Sequence, residues 1–303
     1  MLNKVFSTIL CIYSLILVNQ VAFALEYKLP ENNSRLIGEI TKHTVAKGEF
    51  FQQLAQRYNV GFLALMEANP GIDPLLPQEG TVLSIPTQMI LPYGKHEGIV
   101  INLSELRLYY FNNAKQTVNV FPVGIGKIGN ATPKLISEIT EKRSNPNWFP
   151  TVDKRKEHFK KYGVELPRMV KAGPNNPLGD YAMRIGQSTY LIHGTNQRFG
   201  IGMRASSGCI RMNPEDIEWL FKQADSGTKV KIIDEPIKMT YLTPSQRMIE
   251  IHSPLSLSDD HKPSLYPLSS GVKNFIGKDP KDLKALEEIM KKPKGLPVRV
   301  DLP

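Results

Sequence analysis

The chain has 303 residues, 41% of them apolar and 22% charged, the balance of an ordinary globular protein rather than a disordered or fibrous one. Lysine and arginine outnumber aspartate and glutamate by 38 to 29, a formal charge of +9, with the cations dispersed and not gathered into a run. Taken with the export signal described next, that balance points to an anionic polymer or surface such as bacterial cell wall rather than to nucleic acid, or to no more than a solvated basic surface.

Residues 1–24 open with Lys4, continue as an apolar core from Val5 to Val18 and close on Ala22-Phe23-Ala24. That order reads as a cleavable secretory signal peptide, too short in its apolar part for a membrane span. No later segment is apolar enough to cross a bilayer, so the processed chain is expected to be free in an oxidising compartment, most simply a bacterial periplasm. Cys11 leaves with the signal. Cys209 then remains as a lone thiol with no disulfide partner in its own chain. It is either inert and buried or kept for its reactivity.

Residues 41–87 form the first compact unit. His43-Thr44-Val45 predicts a strand, and Phe51, Leu54, Ala55 and Tyr58 follow at helical spacing. Asn59-Val60-Gly61 punctuates, Leu63, Leu65 and Met66 mark a second helix, and Asn69-Pro70-Gly71 stops it. Val82-Leu83-Ser84-Ile85-Pro86 alternates as a closing strand. Residues 87–97, with Pro92 and Gly94, read as a linker.

The second unit spans residues 97–233. Gly98 to Asn102 opens it, and Leu106 to Phe111 and Val118 to Val123 predict a β-hairpin across Asn112-Asn113-Ala114-Lys115. Thr140 to Val170 is less regular, with a basic amphipathic segment around Lys154 to Tyr162. Tyr181 to Ile185 and Thr189 to His193 return to strand. One helix is well signposted: Asn213 suits its N-cap, Pro214 its first position, and Glu215 and Asp216 its positive end. Lys229 to Ile233 closes the unit. Short strands with frequent turns predict a mainly β domain. The remainder, 234–303, is Pro-rich with one helical segment, capped by Asp279 and opened by Pro280.

Chemistry concentrates between His193 and Arg211. A free thiol has a pKa of about 8.5 and holds little thiolate at neutral pH. An imidazole beside it can take its proton and make it a nucleophile. Gly208 lets backbone approach closely, so amides around Cys209 can face a developing oxyanion. Arg211 can grip a carboxylate with two parallel hydrogen bonds, or serve only as an ion-pair partner. Ser206 and Ser207 are either substrate contacts or plain turn residues. His43, His96, His158, His252 and His261 have no ligand spacing and read as ordinary. No metal-binding motif or phosphate loop is present, so neither metal nor cofactor is expected.

The first unit resembles a LysM domain in the pattern Thr-Val-x-x-Gly-x-x-x-x-x-Leu-Ala-x-x-Tyr, then Asn-Pro, then Gly-x-x-Leu-x-Ile-Pro. The second resembles the YkuD-domain L,D-transpeptidases. His193-Gly194-Thr195-Asn196 and Ser207-Gly208-Cys209-Ile210-Arg211 carry that resemblance. So do Gly98 to Leu103, Pro122 to Gly126, Asn145-Pro146-x-Trp148 and the run from Ala172 to Gly179. The tail resembles the periplasmic ErfK/YbiS type through Glu250-Ile251-His252-x-Pro254-Leu255 and Gly295 to Val298. The fold implied is a β-sandwich with a helix after the cysteine motif, a βααβ LysM module and a short α/β extension.

The resemblance implies peptidoglycan as partner and a two-step reaction. Cys209 attacks the L-centre of meso-diaminopimelate in a tetrapeptide stem and D-alanine leaves. An amine then takes the acyl group, either a lysine of an outer-membrane lipoprotein or another diaminopimelate. His193 is the acid–base residue and the Gly194 carbonyl orients it. Carbapenems are implied to acylate the same cysteine. Many relatives carry histidine where this chain has Ser207, which leaves the proton transfers to His193 alone. The turn Thr132-Pro133-Lys134-Leu135 also lacks a glycine common after that proline. A hydrolase on the same fold and a non-catalytic LysM wall-binder are the alternatives, and the intact His193/Cys209 pair opposes the second.

Overall fold

The computed structural model describes residues 25–31, 34–256, 269–277 and 279–300. The expected signal peptide, with Cys11, lies outside the described residues.

The first unit has the expected order. Strand Thr41–Thr44, helices Phe51–Arg57 and Phe62–Ala68, and strand Val82–Ile85 follow one another, the two strands antiparallel. Phe51, Leu54, Leu65, Leu83 and Ile85 are fully buried between them. Each such side chain contributes about 1.5–3 kcal/mol by leaving water.

One nine-stranded sheet dominates the rest. Its order is Leu25–Lys28, Thr117–Pro122, Arg107–Asn112, Gly98–Asn102, Lys229–Ile233, Leu135–Ser144, Tyr181–Ile185, Leu191–His193 and Ile210–Arg211. The expected hairpin is present, with Leu108 opposite Phe121. The sandwich is one sheet bent on itself rather than two stacked sheets, and Leu135–Ser144 makes the bend. Its first residues pair with Lys229–Ile233 and its last with Tyr181–Ile185, the register shifting between Ile139 and Glu141. Such an irregularity turns a strand and lets a sheet curl. The inner face holds Ile99, Ile101, Leu108, Phe121, Ile192 and Ile210, closed by Ile217 and Leu220 of helix Pro214–Gln223. The sequence segment read as irregular contains this strand end and an unforeseen regular helix, Val152–Tyr162.

The expected linker is fixed structure. Met89–Ile90 pairs with Leu36–Ile37, and Met89, Ile90 and Leu91 are buried. The tail carries a hairpin, Ile237–Thr243 with Gln246–Ile251, the short strand Val298–Arg299 and two helices, Ser270–Ile276 and Pro280–Lys291, where one was expected. Asp279 caps the second, accepting from the Lys281 amide at 2.8 Å.

His252 is not ordinary. It is buried, with Nδ1 2.9 Å from Glu67 of the LysM-like unit and Nε2 2.8 Å from Glu250 of the tail. Burial opposes its charge, but the two carboxylates outweigh this and push its pKa up to about 9. Lys238, wholly buried, reaches Glu250 at 3.1 Å and, at 2.9 Å, Glu105 of the short turn between strands Gly98–Asn102 and Arg107–Asn112. Arg107 bridges the same two carboxylates at 2.9 and 3.0 Å. Glu105, Glu250 and His252 would suit a cation by proximity. Lys238 and Arg107 already supply the compensating positive charge, so the cluster is an ion-pair junction.

Candidate active site

Leu191–His193 and Ile210–Arg211 run parallel, with Ile192 opposite Ile210 and His193 opposite Arg211. Ile192 and Ile210 are fully buried in the inner core. Alternation therefore sends His193, Arg211 and Cys209 toward the other face. All three line a cavity of about 650 Å³, with Trp148, Tyr190 and Ser207 among its other walls.

The two reactive groups are both neutral at rest. His193 is buried, and burial with the neighbouring Arg211 charge lowers its pKa to about 4. Its Nδ1 lies 2.6 Å from the Gly194 carbonyl. A carbonyl only accepts, so Nδ1 carries the hydrogen and Nε2 keeps a lone pair. The Leu178 carbonyl also favours the ring. Cys209 is half-buried and free. Burial pushes its thiol up, with the Leu191 amide and Arg211 opposing. The cavity thus holds a neutral thiol and a neutral imidazole, not a standing ion pair. Burial also lowers the Arg211 pKa, and its Nε has no hydrogen-bond partner.

The Cys209 loop is braced from within. Ser206 Oγ donates to the Cys209 carbonyl at 2.6 Å and accepts from the Gly208 amide at 3.1 Å. Gly208 is therefore not a free oxyanion donor, because its N–H is already committed. The Cys209 amide has no acceptor among the described residues. Thr132 Oγ1 accepts from the Gly126 amide and donates to the Gly208 carbonyl, both at 2.9 Å. The turn lacking that glycine thus anchors the Cys209 loop through its threonine. Ser207 stands at the cavity, its hydroxyl 3.1 Å from Lys154 Nζ.

Gly208 has φ +106°, and a Cβ there would lie 2.8 Å from the Tyr190 ring. Gly208→Ala is expected to distort the loop and lower turnover about 100-fold, since a misplacement of about 1 Å costs that much. Steady-state kinetics of the folded variant checks this; unchanged turnover would show that the loop tolerates the shift.

Sequence reasoning missed several contributors. Asn176 is fully buried, donating to the Pro146 carbonyl at 2.7 Å and accepting from the Leu178 amide at 2.9 Å. It holds the segment whose carbonyl meets His193. Gly179 packs so closely on Gly194 and Thr195 that a Cβ would approach the Thr195 amide nitrogen to 2.9 Å. Both lie in the Ala172–Gly179 run, the signal that marked them. Arg143, Arg184 and Glu141 also line the cavity, joined by Arg184–Glu141 at 2.9 Å, without any sequence signal.

The LysM-like unit clamps the loop between His193 and Cys209. Leu63 donates its amide to the Gly202 carbonyl at 3.2 Å, and Asn59 donates to buried Asp216 at 3.1 Å. Burial holds the Asp216 pKa at about 7 against the bonds from Asn213 and Asn59. Asn213 sits at the expected N-cap, but its amide donates to Asp216 at 3.0 Å and makes no cap bond.

On this curled sheet His193, at the end of its strand, and Cys209, just before strand Ile210–Arg211, line one cavity, and the chain belongs to the L,D-transpeptidase family. The L,D-transpeptidase catalytic domain model matches residues 96–232, the L,D-transpeptidase C-terminal domain model 236–300 and the LysM domain model 43–86. The chain is 46% identical to the probable L,D-transpeptidase YcfS of Escherichia coli, covering 92% of this chain and 91% of that one. It is 43% identical to probable L,D-transpeptidase YbiS of the same species, over 92% and 93% of the two chains. Against probable L,D-transpeptidase ErfK/SrfK of Salmonella typhimurium the identity is 40%, with 95% of each covered. Among the described residues no helix is long and apolar enough to cross a membrane.

Proposed function

We propose that the chain is a periplasmic cysteine L,D-transpeptidase acting on peptidoglycan, with Cys209 as nucleophile and His193 as its base. The observation that carries this reading is the shared cavity of a half-buried thiol and a neutral imidazole whose Nδ1 is fixed by Gly194. The apolar N-terminal segment with its Ala22-Phe23-Ala24 cleavage pattern supports the location.

The donor is a tetrapeptide stem. As Cys209 Sγ bonds to the acyl carbon of meso-diaminopimelate, its proton passes to His193 Nε2, and the oxyanion faces the Cys209 amide. The C–N bond to D-alanine then breaks, and His193 returns the proton to the leaving amine. The resulting thioester is attacked by an acceptor amine. The C–N bond forms, the C–S bond breaks, and the amine's proton travels through His193 to sulfur. Arg211 binds a substrate carboxylate, which offsets the charge that depresses His193 and makes the base stronger when substrate is present. The acceptor is a lipoprotein lysine or a second diaminopimelate. Water as acceptor gives the hydrolase alternative, and the same thioester serves both.

Incubating the chain with purified tetrapeptide stems tests this. Intact mass is expected to show an acyl adduct, peptide mapping to place it on Cys209, and D-alanine to appear in step. An adduct elsewhere, or D-alanine released without one, would refute the covalent mechanism.

The pH profile follows from the charges. A base with a pKa of about 4 stays active far below the usual imidazole value of about 6.5. The acid limb of kcat/KM is expected near pH 4. Arg211→Gln removes the neighbouring cation, so the limb should move upward as kcat/KM falls. An unmoved limb in that variant would separate Arg211 from the base.

A further inference from the structure

The two ends of the catalytic cavity differ in their chemistry. Strands Leu191–His193 and Ile210–Arg211 run parallel, so the chain around Cys209 keeps step with its neighbour. Arg211 lies beside His193, and Gly208 lies against the Tyr190 ring. His193 and Tyr190 are three residues apart, about 10 Å along a strand. Cys209 stands between them, at the Leu191 amide, with a cation beyond it on either side. At the His193 end that cation is Arg211. At the Tyr190 end it is Lys154, carried there by helix Val152–Tyr162. Lys154 Nζ lies 3.1 Å from Ser207 Oγ. An ammonium only donates, so the hydroxyl accepts, and its own hydrogen has no acceptor among the described residues. Ser207 is exposed, and Lys154 is half-buried. Lys154 shares Glu157, at 3.5 Å, with Lys127, so these three side chains keep one positive charge; Asp153 is the other carboxylate at this end. An ammonium and a hydroxyl side by side, each with a donor to spare, suit a carboxylate.

The path of the proton decides which carboxylate. His193 hands its proton to the leaving amine, so the leaving residue lies toward His193 and Arg211. The retained acyl portion of the stem then runs the other way, toward Ser207. We propose that Lys154 and Ser207 bind a carboxylate on the retained side of the donor stem and so fix the direction in which the stem lies across Cys209. The proposal rests on the acyl-transfer reading of Cys209. Arg211 then holds the carboxylate of the leaving D-alanine. Two groups could occupy the Lys154 end, the D-centre carboxylate of diaminopimelate or a carboxylate on the residue before it. Lys154 serves binding and not the sulfur, since the cation that acts on the Cys209 thiol is Arg211.

The test uses the Cys209→Ala chain, which holds the stem without reacting, in titration calorimetry. Adding Lys154→Gln is expected to weaken binding of the tetrapeptide stem about tenfold and Ser207→Ala about threefold, while Lys154→Arg stays near the parent. Neither side chain is buried, so the variants should keep their fold, checked by circular dichroism. Two stems, amidated in turn at the D-centre and at the preceding residue, name the carboxylate. One of them should bind the parent about tenfold more weakly and lose nothing further in Lys154→Gln. A stem amidated on its terminal D-alanine should be penalised equally in parent and Lys154→Gln, and lose that penalty in Arg211→Gln. With Cys209 in place, Lys154→Gln should raise KM for D-alanine release about tenfold, with kcat and iodoacetamide alkylation of the thiol within about twofold of wild type. Unchanged stem affinity in Lys154→Gln overturns the proposal, as does the absence of a penalty for both retained-side amides. A terminal-amide penalty that vanishes in Lys154→Gln would reverse the stem and overturn it. Slower alkylation and lower kcat with an unmoved KM would place Lys154 on the sulfur and overturn it as well. A wild-type chain that never acylates would instead refute the catalytic reading, while calorimetry still decides what Lys154 binds.

Discussion

Cys209→Ala is expected to reduce transfer by about 10⁴-fold or more and to leave the fold intact. On the proposed mechanism the sulfur forms and breaks the covalent bond to the acyl group, and residues acting as a unit are lost together. His193→Ala should therefore cost about as much, and the double variant little more. The packing side of the change is small. Cys209 is half-buried at the cavity, so truncating it removes one sulfur from a wall already open to water. The melting temperature is expected within a few degrees of wild type. In a bacterium carrying the variant, wall-bound protein, 3–3 cross-links or both should fall. Unchanged muropeptides together with unchanged tethering would defeat the assignment.

Lys238→Ala is expected to be the most destabilising single change, at about 3–5 kcal/mol, the cost of stripping a partner from a buried ion pair. Lys238 is wholly buried and touches both Glu105 and Glu250. Without it, two carboxylates face each other with only Arg107 and His252 to balance them. Lys238→Met keeps the volume but not the charge and should be nearly as harmful. Urea unfolding at constant m-value measures both. A loss below about 1 kcal/mol would show that water or protonation substitutes easily for the lysine.

The same cluster sets a pH window. The His252 pKa rises on folding from about 6.5 to about 9. Its contribution is whole below pH 6.5 and is lost as pH climbs through 9. Glu105, Glu250 and Glu67 are lowered on folding, burial notwithstanding, by the cations beside them. Their contribution is present above the ordinary carboxylate pKa and is lost as pH falls below it. Stability should thus be greatest near pH 5–6.5. A maximum at pH 9 would contradict this electrostatic account.

Local pattern made the LysM-like unit legible. Phe51, Leu54 and Ala55 repeat at helical spacing, and Asn69-Pro70-Gly71 ends a helix whatever surrounds it. The hairpin from Arg107 to Pro122 was legible for the same reason. The bend in Leu135–Ser144 was not, because a register shift between Ile139 and Glu141 arises from which distant strands lie on each side. Within the site, Cys209 and His193 were visible through their surrounding strings. Thr132 and Asn176 act through hydrogen bonds to backbone far along the chain, and periodicity carries no trace of such bonds. His252 looked ordinary because its partners, Glu67 and Glu250, come from different parts of the sequence and show no ligand spacing.

The charged junction also decides how the molecule comes apart. Glu67, Glu105 and Glu250 belong to three successive stretches of chain, and their counterions cross between those stretches. Pulling any one stretch away would strand a bare charge in an oily interior. Calorimetry should therefore record a single endotherm, and a fragment ending at residue 233 should melt far below the intact chain.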